Sequence, residues 1–496
     1  MRTPILMLTA LVAGILAGDQ LGAGPARLLL VTALAVLAAA FVRRGTRAGF
    51  ACAVVATALL GVAVEQRALH GLAVSPLRAV ADRRMSGEVV MTLAEDPDGP
   101  QYQSTAIARV ATFAGRAAGG RSVLAIASGE NLSALSVLDA GDRVRARGTL
   151  EPLTGYAVRA RWRHAVAQFR IDDVIAVARP ESPWYLVANM ARRAVLRGTT
   201  VLPATPRALL SGFLLGDTRA IPDELVTDFR DAGLSHLLAV SGANVAFALA
   251  VAEPGLRRLR RGPRFAAGIG VLVLFGTMTR WEPSVLRAAV MAGLVMFARA
   301  VGRPAEARRV LVLAMLALLA ADPFLVHSVG FLLSCGACAG IVIGSAPIAA
   351  KLRGPEWFRD ALGVTTAAQI GVAPVLLTTF GTLPLVALPA NLVAAPFVGP
   401  LTVWGLVASV VGGTLGPGTA FWLQLPSLTM LRGIEFVAHT SARVPVAIDG
   451  RIAIALALLS AVTLVVTRVW RARTGRLARR GWRVHREGQR PDPARS

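Results

Sequence analysis

Hydrophobic and polar positions divide the chain into three stretches of different rhythm. Apolar runs at 5–17, 28–42 and 50–64 open it. Each approaches the roughly 20 residues that cross a bilayer once its flanks are counted. The first follows Arg2 as a secretory leader would, but no small-x-small cleavage site precedes the next run, so it reads as an uncleaved anchor. Between 77 and 180 alternation replaces the long runs and predicts strands at 87–93, 104–111, 122–127, 143–150 and 166–177. Turn signals such as Asp96-Pro97-Asp98-Gly99 and Gly119-Gly120 separate them. In the clearest strand Val144, Ala146 and Gly148 face one way while Arg143, Arg145 and Arg147 face the other. Five short strands suit a small barrel of OB type.

Apolar runs then return at 234–251, 265–278, 285–298, 310–320, 324–343, 364–380, 385–411, 421–437 and 452–469. The run at 385–411 is long enough for two crossings, or for a re-entrant hairpin around Pro396, Gly399 and Pro400. About eleven spans in all are expected, with no internal repeat. The fold class is therefore a polytopic α-helical membrane protein with an inserted small all-β, OB-like domain. Its expected parts are transmembrane helices over 1–72, the β domain over 77–180 and an interfacial amphipathic helix over 184–202. A membrane domain over 205–470 and a basic tail over 471–496 follow. In the interfacial helix Arg192, Arg193 and Arg197 sit among apolar neighbours.

Composition agrees. Hydrophobic residues make up 54% and charged residues 17%, with mean hydropathy +0.58, which excludes a soluble globular chain and a disordered one. Three cysteines in apolar segments exclude a disulfide scaffold. Cys335 and Cys338, one helical turn apart, read as small-residue packing. Against 29 acidic residues stand 53 basic ones, a formal +24, and only Lys351 among them is not arginine. Arg43, Arg44 and Arg47, then Arg257, Arg258, Arg260, Arg261 and Arg264, then Arg303, Arg308 and Arg309, mark inner loops. With the tail they place the C-terminus in the cytoplasm and the β domain outside a plasma membrane. Anchoring to anionic lipid accounts for much of the charge.

The densest unusual stretch is 207–251. Pro222, Asp223 and Glu224 form a good first helical turn, and Leu225, Val226 and Phe229 make an apolar stripe ending near Gly233. His236, Ser241 and Asn244 then interrupt an apolar segment, and Ser241-Gly242 is placed to break the helix. Two readings stay open: these groups join helices by hydrogen bonds, or they face a polar pathway.

The same residues resemble the signature of ComEC-type competence proteins, a channel family that admits transforming DNA. The matches are Leu214-Leu215-Gly216-Asp217, the run 221–225, and 233–245 with its His236-Leu237-Leu238-Ala239-Val240-Ser241-Gly242 core. Further matches follow in order: Pro283-Ser284-Val285-Leu286-Arg287-Ala288, Asp322-Pro323, Phe331-Leu332-Leu333-Ser334, Gln369 with Pro374, Phe380-Gly381, and Asn391-Leu392-Val393-Ala394-Ala395-Pro396. The resemblance also implies an OB-like domain after the first spans. Asn244 stands where the family commonly has histidine. Nothing resembles the His-x-His-x-Asp-His cluster of the metallo-β-lactamase-like domain that ends many members, so a member lacking that domain is expected. Six scattered histidines do not supply a hydrolytic metal site. The expectation is a conduit and not an enzyme, with no catalytic residue, metal or cofactor.

Moving single-stranded DNA needs an outer surface that attracts phosphate and stacks bases. Arg143, Arg145, Arg147, Tyr156, Arg159, Arg161, Trp162 and Arg163 offer one, with ordinary surface charge as the bland alternative. It also needs a polar lining, for which Asp217, Arg219, His236, Ser241, Gly242, Asn244, Arg287 and Gln369 are candidates. Arg287, early in an apolar helix, costs roughly 2.5–3.5 kcal/mol if exposed to lipid near the centre. Snorkelling, or pairing with Asp217 or Glu282, is its alternative role. No Gly-rich nucleotide loop is present, so a cytoplasmic motor or DNA-binding protein and a DNA receptor are expected as separate partners. Assembly with further copies of the chain is left open. The rival readings are a transporter or flippase of an anionic lipid-linked precursor and a serine hydrolase using Ser241 with His236. Those two lie five apart, on different faces of an unbroken helix.

Overall fold

The computed structural model describes residues 2–449 apart from 23, 25, 44, 45, 100, 101, 445 and 446. The expected final span at 452–469, the tail at 471–496 and Arg44 lie outside the described residues. The chain opens with α1 (Arg2–Leu21), α2 (Ala26–Val42) and α3 (Arg47–Ala73). Glycines let α1 and α3 touch: a Cβ on Gly14 would fall 2.1 Å from the Ala58 carbonyl oxygen, and one on Gly61 2.4 Å from that of Leu11. Short α4 (Pro76–Asp82) leads into the β domain.

All five expected strands form, each extended by a residue or more: β1 (Ser86–Leu93), β2 (Gln103–Phe113), β3 (Arg116–Ser128), β4 (Arg143–Glu151) and β5 (Ala165–Ala178). They close a barrel in the order β1-β2-β3-β5-β4, with β3 parallel to β5 and the other pairings antiparallel. Alternation does the sorting. Val144, Ala146 and Gly148 are buried in the barrel wall while Arg145 and Arg147 stand outside. Phe169, Met91 and Leu150 fill the middle, Leu77 of α4 packs against them, and so does Leu135 of α5 (Asn131–Ser136), which joins β3 to β4. A 3-10 segment, Gly155–Arg163, joins β4 to β5.

The remainder is helical: α6 (Pro183–Thr199), α7 (Ala204–Leu215), α8 (Asp223–Asp231), α9 (Ser235–Leu238), α10 (Gly242–Leu256), α11 (Arg261–Met278), α12 (Pro283–Ala300) and α13 (Ala307–Ala321). After a second 3-10 segment, Pro323–His327, come α14 (Val329–Ala349), α15 (Glu356–Phe380), α16 (Ala387–Leu415) and α17 (Pro417–Ala442). A small ladder pairs β6 (Thr382–Pro384) with β7 (Ala447–Asp449). Six described helices, α1, α3, α12, α14, α15 and α16, are long and apolar enough to cross a membrane, and α2 and α10 are shorter apolar helices. Such an array is that of a multi-pass membrane protein. About eleven spans were expected; several of the additional apolar runs form helices that fall short of that length and composition.

Two expectations change. The run at 385–411 is neither two crossings nor a hairpin but part of one helix, α16, with Pro396 and Pro400 inside it. Ala390, Ala394, Leu401, Gly405, Ala408 and Gly412 recur at helical spacing and bury one continuous stripe, which holds the helix through both prolines. Likewise α6 does not simply lie on a surface. It packs into the bundle so closely that a Cβ on Gly198 would fall 1.9 Å from the Ser409 carbonyl oxygen, and one on Gly413 1.9 Å from that of Ala194. Gly198→Ala should therefore separate α6 from α16 and cost roughly 3 kcal/mol, seen as a lower apparent Tm in detergent. Gly418→Ala, where a Cβ meets nothing within 4 Å, should leave Tm unchanged or slightly raised.

Candidate functional site

Barrel and membrane helices meet at a buried cluster of charge. Arg192, on α6, has a side chain only 2% exposed. It follows Ala188 by four and precedes Val195 by three, which puts it on the apolar stripe of its helix and turns it inward. Its guanidinium donates to the carbonyls of Leu215 and Met278 at 3.1 Å each, and pairs with Asp96 and Asp217 at 2.9 Å each. Asp96 lies in the loop after β1. It accepts from Arg280 at 2.8 Å and from the Ala140 amide at 2.8 Å. Arg280 also donates to Asn189 Oδ1 at 2.8 Å, and Asn189 donates to the Ala140 carbonyl at 3.0 Å. Both Arg280 (φ 57°) and Trp281 (φ 54°) take the left-handed conformation, which for such residues persists only where surrounding contacts over-determine it.

Asp217 and Arg219, expected along the pathway, belong to this junction. Arg219 grips Asp217 with two bonds of 2.8 Å and donates to the Ser136 carbonyl of the barrel domain at 3.1 Å. Burial alone would raise the Asp217 carboxyl. The hydrogen bonds and charge of Arg219, together with Arg192, outweigh that and hold it at about 2. Asp96 is also below its ordinary range: Arg192 and Arg280 overcome its desolvation.

Deeper in the helical domain the chain is broken where Ser241-Gly242 suggested. Ala239 (ψ 152°) and Ser241 (ψ 155°) are extended, and α10 starts at Gly242. Ser241 donates to Asn244 Oδ1 at 3.0 Å, and Asn244 Nδ2 donates to the Phe213 carbonyl at 2.6 Å. Those two groups have partners within the protein. Arg287, 6% exposed, reaches the break from α12: a Cβ on Gly242 would lie 2.5 Å from its Nη2. Its Nε donates to Ser334 at 2.8 Å and its Nη1 contacts Cys338 and Met291. Neither Asp217 nor Glu282 pairs with it, and among the described residues no carboxylate does. A cation beside the positive end of α10 makes this spot electropositive, the opposite of what steadies a helix start and the condition that suits an anion. Gln369 on α15 is half-buried with no hydrogen bond among the described residues, and His236 on the single turn of α9 is exposed.

The barrel arginines are less available than their alternation suggested. Arg143 pairs with Glu181, Arg145 with Glu88 and Arg163 with Glu95. Arg161 lies 3.8 Å over the Trp162 ring and 3.9 Å from Asp19. Arg147 and Arg159 are exposed, as is Tyr156, which meets Gln103. Three arginines that pattern reading missed gather instead in a cleft of about 450 Å³ between α3, the barrel and the end of α13. Arg67, Arg109 and Arg121 line it with Ser122 and His164, and all three are exposed with no ion pair among the described residues. They lie on separate elements, and no sequence signal joins them.

Removing Asp96 takes the nearest carboxylate from Arg280 and leaves Arg192 with Asp217 alone. Asp96→Ala should cost roughly 3 kcal/mol or more, read as lower membrane abundance and apparent Tm. The Asp217 contribution has a defined pH dependence. Its folded value lies below the ordinary 3.8, so the stabilisation is whole above about pH 4 and drains away as pH falls toward 2. Acid unfolding followed by tryptophan fluorescence should lose that limb in Asp217→Asn.

The competence protein family matches residues 213–474, across the helix break and Arg287. ComE operon protein 3 of Bacillus subtilis (strain 168) is 26% identical over 255 residues, 50% of this chain and 32% of that protein. The uncharacterized protein YcaI of Escherichia coli (strain K12) is 28% identical over 263 residues, 49% of this chain and 33% of that protein. The matched stretch thus spans about a third of the length of these curated relatives. No solved structure matches. With more than half of its residues inside the stretch that matches the family, the chain belongs to the competence protein family, of the ComEC type.

Proposed function

We propose that this protein conducts single-stranded DNA across the plasma membrane, and that Arg287 touches the phosphate backbone on the way. The observation that carries the reading is the buried guanidinium beside the start of α10, neutralised by no carboxylate among the described residues. A mobile polyanion supplies the missing charge transiently, which a permanent ion pair would prevent. Gln369 and His236, the latter already hydrogen-bonded to the Gly233 backbone through one ring nitrogen, are the other candidates. In this reading the barrel is of OB type, as its strand order and the position of α5 suggest. It faces outward and offers the cleft of Arg67, Arg109 and Arg121 as the first phosphate contact. The chain acts as conduit and not as nuclease, and a separate motor pulls the strand.

In a naturally competent host, deleting the gene should abolish internalisation of labelled DNA; normal transformation in the deletion strain would overturn the reading. Losing one charged hydrogen bond to phosphate, about 1.5–3 kcal/mol, should lower transformant recovery about tenfold or more in Arg287→Ala at unchanged membrane abundance. In the purified protein, Arg121→Ala should weaken DNA binding uniformly across sequences and reduce the salt-dependence slope by about 1.

A further inference from the structure

A second cluster of charge, away from Arg287 and the Asp96 junction, joins the N-terminal helices to the barrel. Asp19 near the end of α1, Glu65 on α3 and His327 at the end of the second 3-10 segment place one ligand atom each within 4.8 Å of one another. The glycine contacts between α1 and α3 force the two carboxylates together, and Gly18 stands directly against the Glu65 stem, where a Cβ would lie 2.9 Å from its Cβ. Glu65 is fully buried, yet among the described residues neither of its carboxylate oxygens has a hydrogen-bond partner. Nε2 of His327 is likewise buried and unpartnered. Its ring is held flat against Trp162 of the barrel domain, centroids 3.7 Å apart and planes 18° from parallel. Among the described residues Arg161 comes to 3.9 Å of Asp19, and no ion pair reaches Glu65. A buried carboxylate with both oxygens unsatisfied costs far more than folding recovers elsewhere, unless it meets a cation or a proton.

We infer that Asp19, Glu65 and His327 bind a divalent transition-metal ion of the Zn²⁺ or Mn²⁺ class. Two carboxylates alone suit Mg²⁺ or Ca²⁺ equally well. An imidazole nitrogen in the same set favours a metal that accepts nitrogen as readily as oxygen. The ion fastens three elements far apart in the chain, and through the Trp162 stack it ties the barrel to them. It is a structural clamp at the second junction.

Full-length protein purified in detergent without chelator, exposed to Zn²⁺ or Mn²⁺ and desalted, should retain about one equivalent of metal per chain by mass spectrometry. Affinity should fall at least about tenfold in Glu65→Gln and in His327→Ala. The metal should also raise the apparent Tm of the unaltered protein, and Co²⁺ in its place should give visible d–d absorption. Should the variants fail to reach the membrane, the unaltered protein decides through the Co²⁺ spectrum and the retained metal. No stoichiometric retention, or equal retention in folded variants, overturns the assignment and leaves a shared proton as the account of Glu65.

Discussion

One carboxylate between two guanidinium groups fixes how the two halves of this protein meet. Asp96 comes from a barrel loop; Arg192 and Arg280 come from the membrane domain. None of the three is tolerable alone where it lies, because a desolvated charge without its opposite is among the costliest things a fold can contain. Pulling the barrel away from the helices would therefore strand charge on both sides at once. The neighbouring bonds, Arg219 to Ser136 and Asn189 to Ala140, make the arrangement directional as well as strong. The arginine-lined cleft has barrel strands for one wall and helices for the others, so its shape follows from the pose of the barrel.

The polar residues of the helical domain fall into two kinds. Asp217, Arg219, Ser241 and Asn244 satisfy one another or nearby backbone, and so shape the protein. Arg287 pairs with no carboxylate among the described residues and sits beside a helix start, so its charge does not serve to hold two elements together as an ion pair. Sorting by hydrogen-bond partner, rather than by polarity, is what separates the two.

Where the sequence was legible, a short-range period carried the information. Alternation located all five strands and the outward arginines of β4, and Pro222-Asp223-Glu224 marked the start of α8. Ser241-Gly242 announced the helix break through local chemistry alone. The stripe placing Arg192 beside Ala188 and Val195 was readable too, but its charge suggested a membrane surface instead of a buried pair. The rest depended on contacts no period records. Glu181, Glu88 and Glu95 neutralise barrel arginines from other elements, and Asp96 meets Arg280 from 184 positions away in the chain. Pro396 and Pro400 suggested a break in α16, yet the small-residue stripe on either side outweighed them.

The barrel closes on itself, β1 pairing with both β2 and β4. Only at the seam of β3 and β5, where pairing is confined to Ser122–Ile126 and Ala165–Arg170, do parts of both strands keep one side unpaired, so main-chain pairing by a visiting chain is restricted to that seam. Around the rest of the girdle, whatever engages this domain has to do so through side chains and connecting loops, where recognition rests on charge and ring stacking and can be altered one residue at a time.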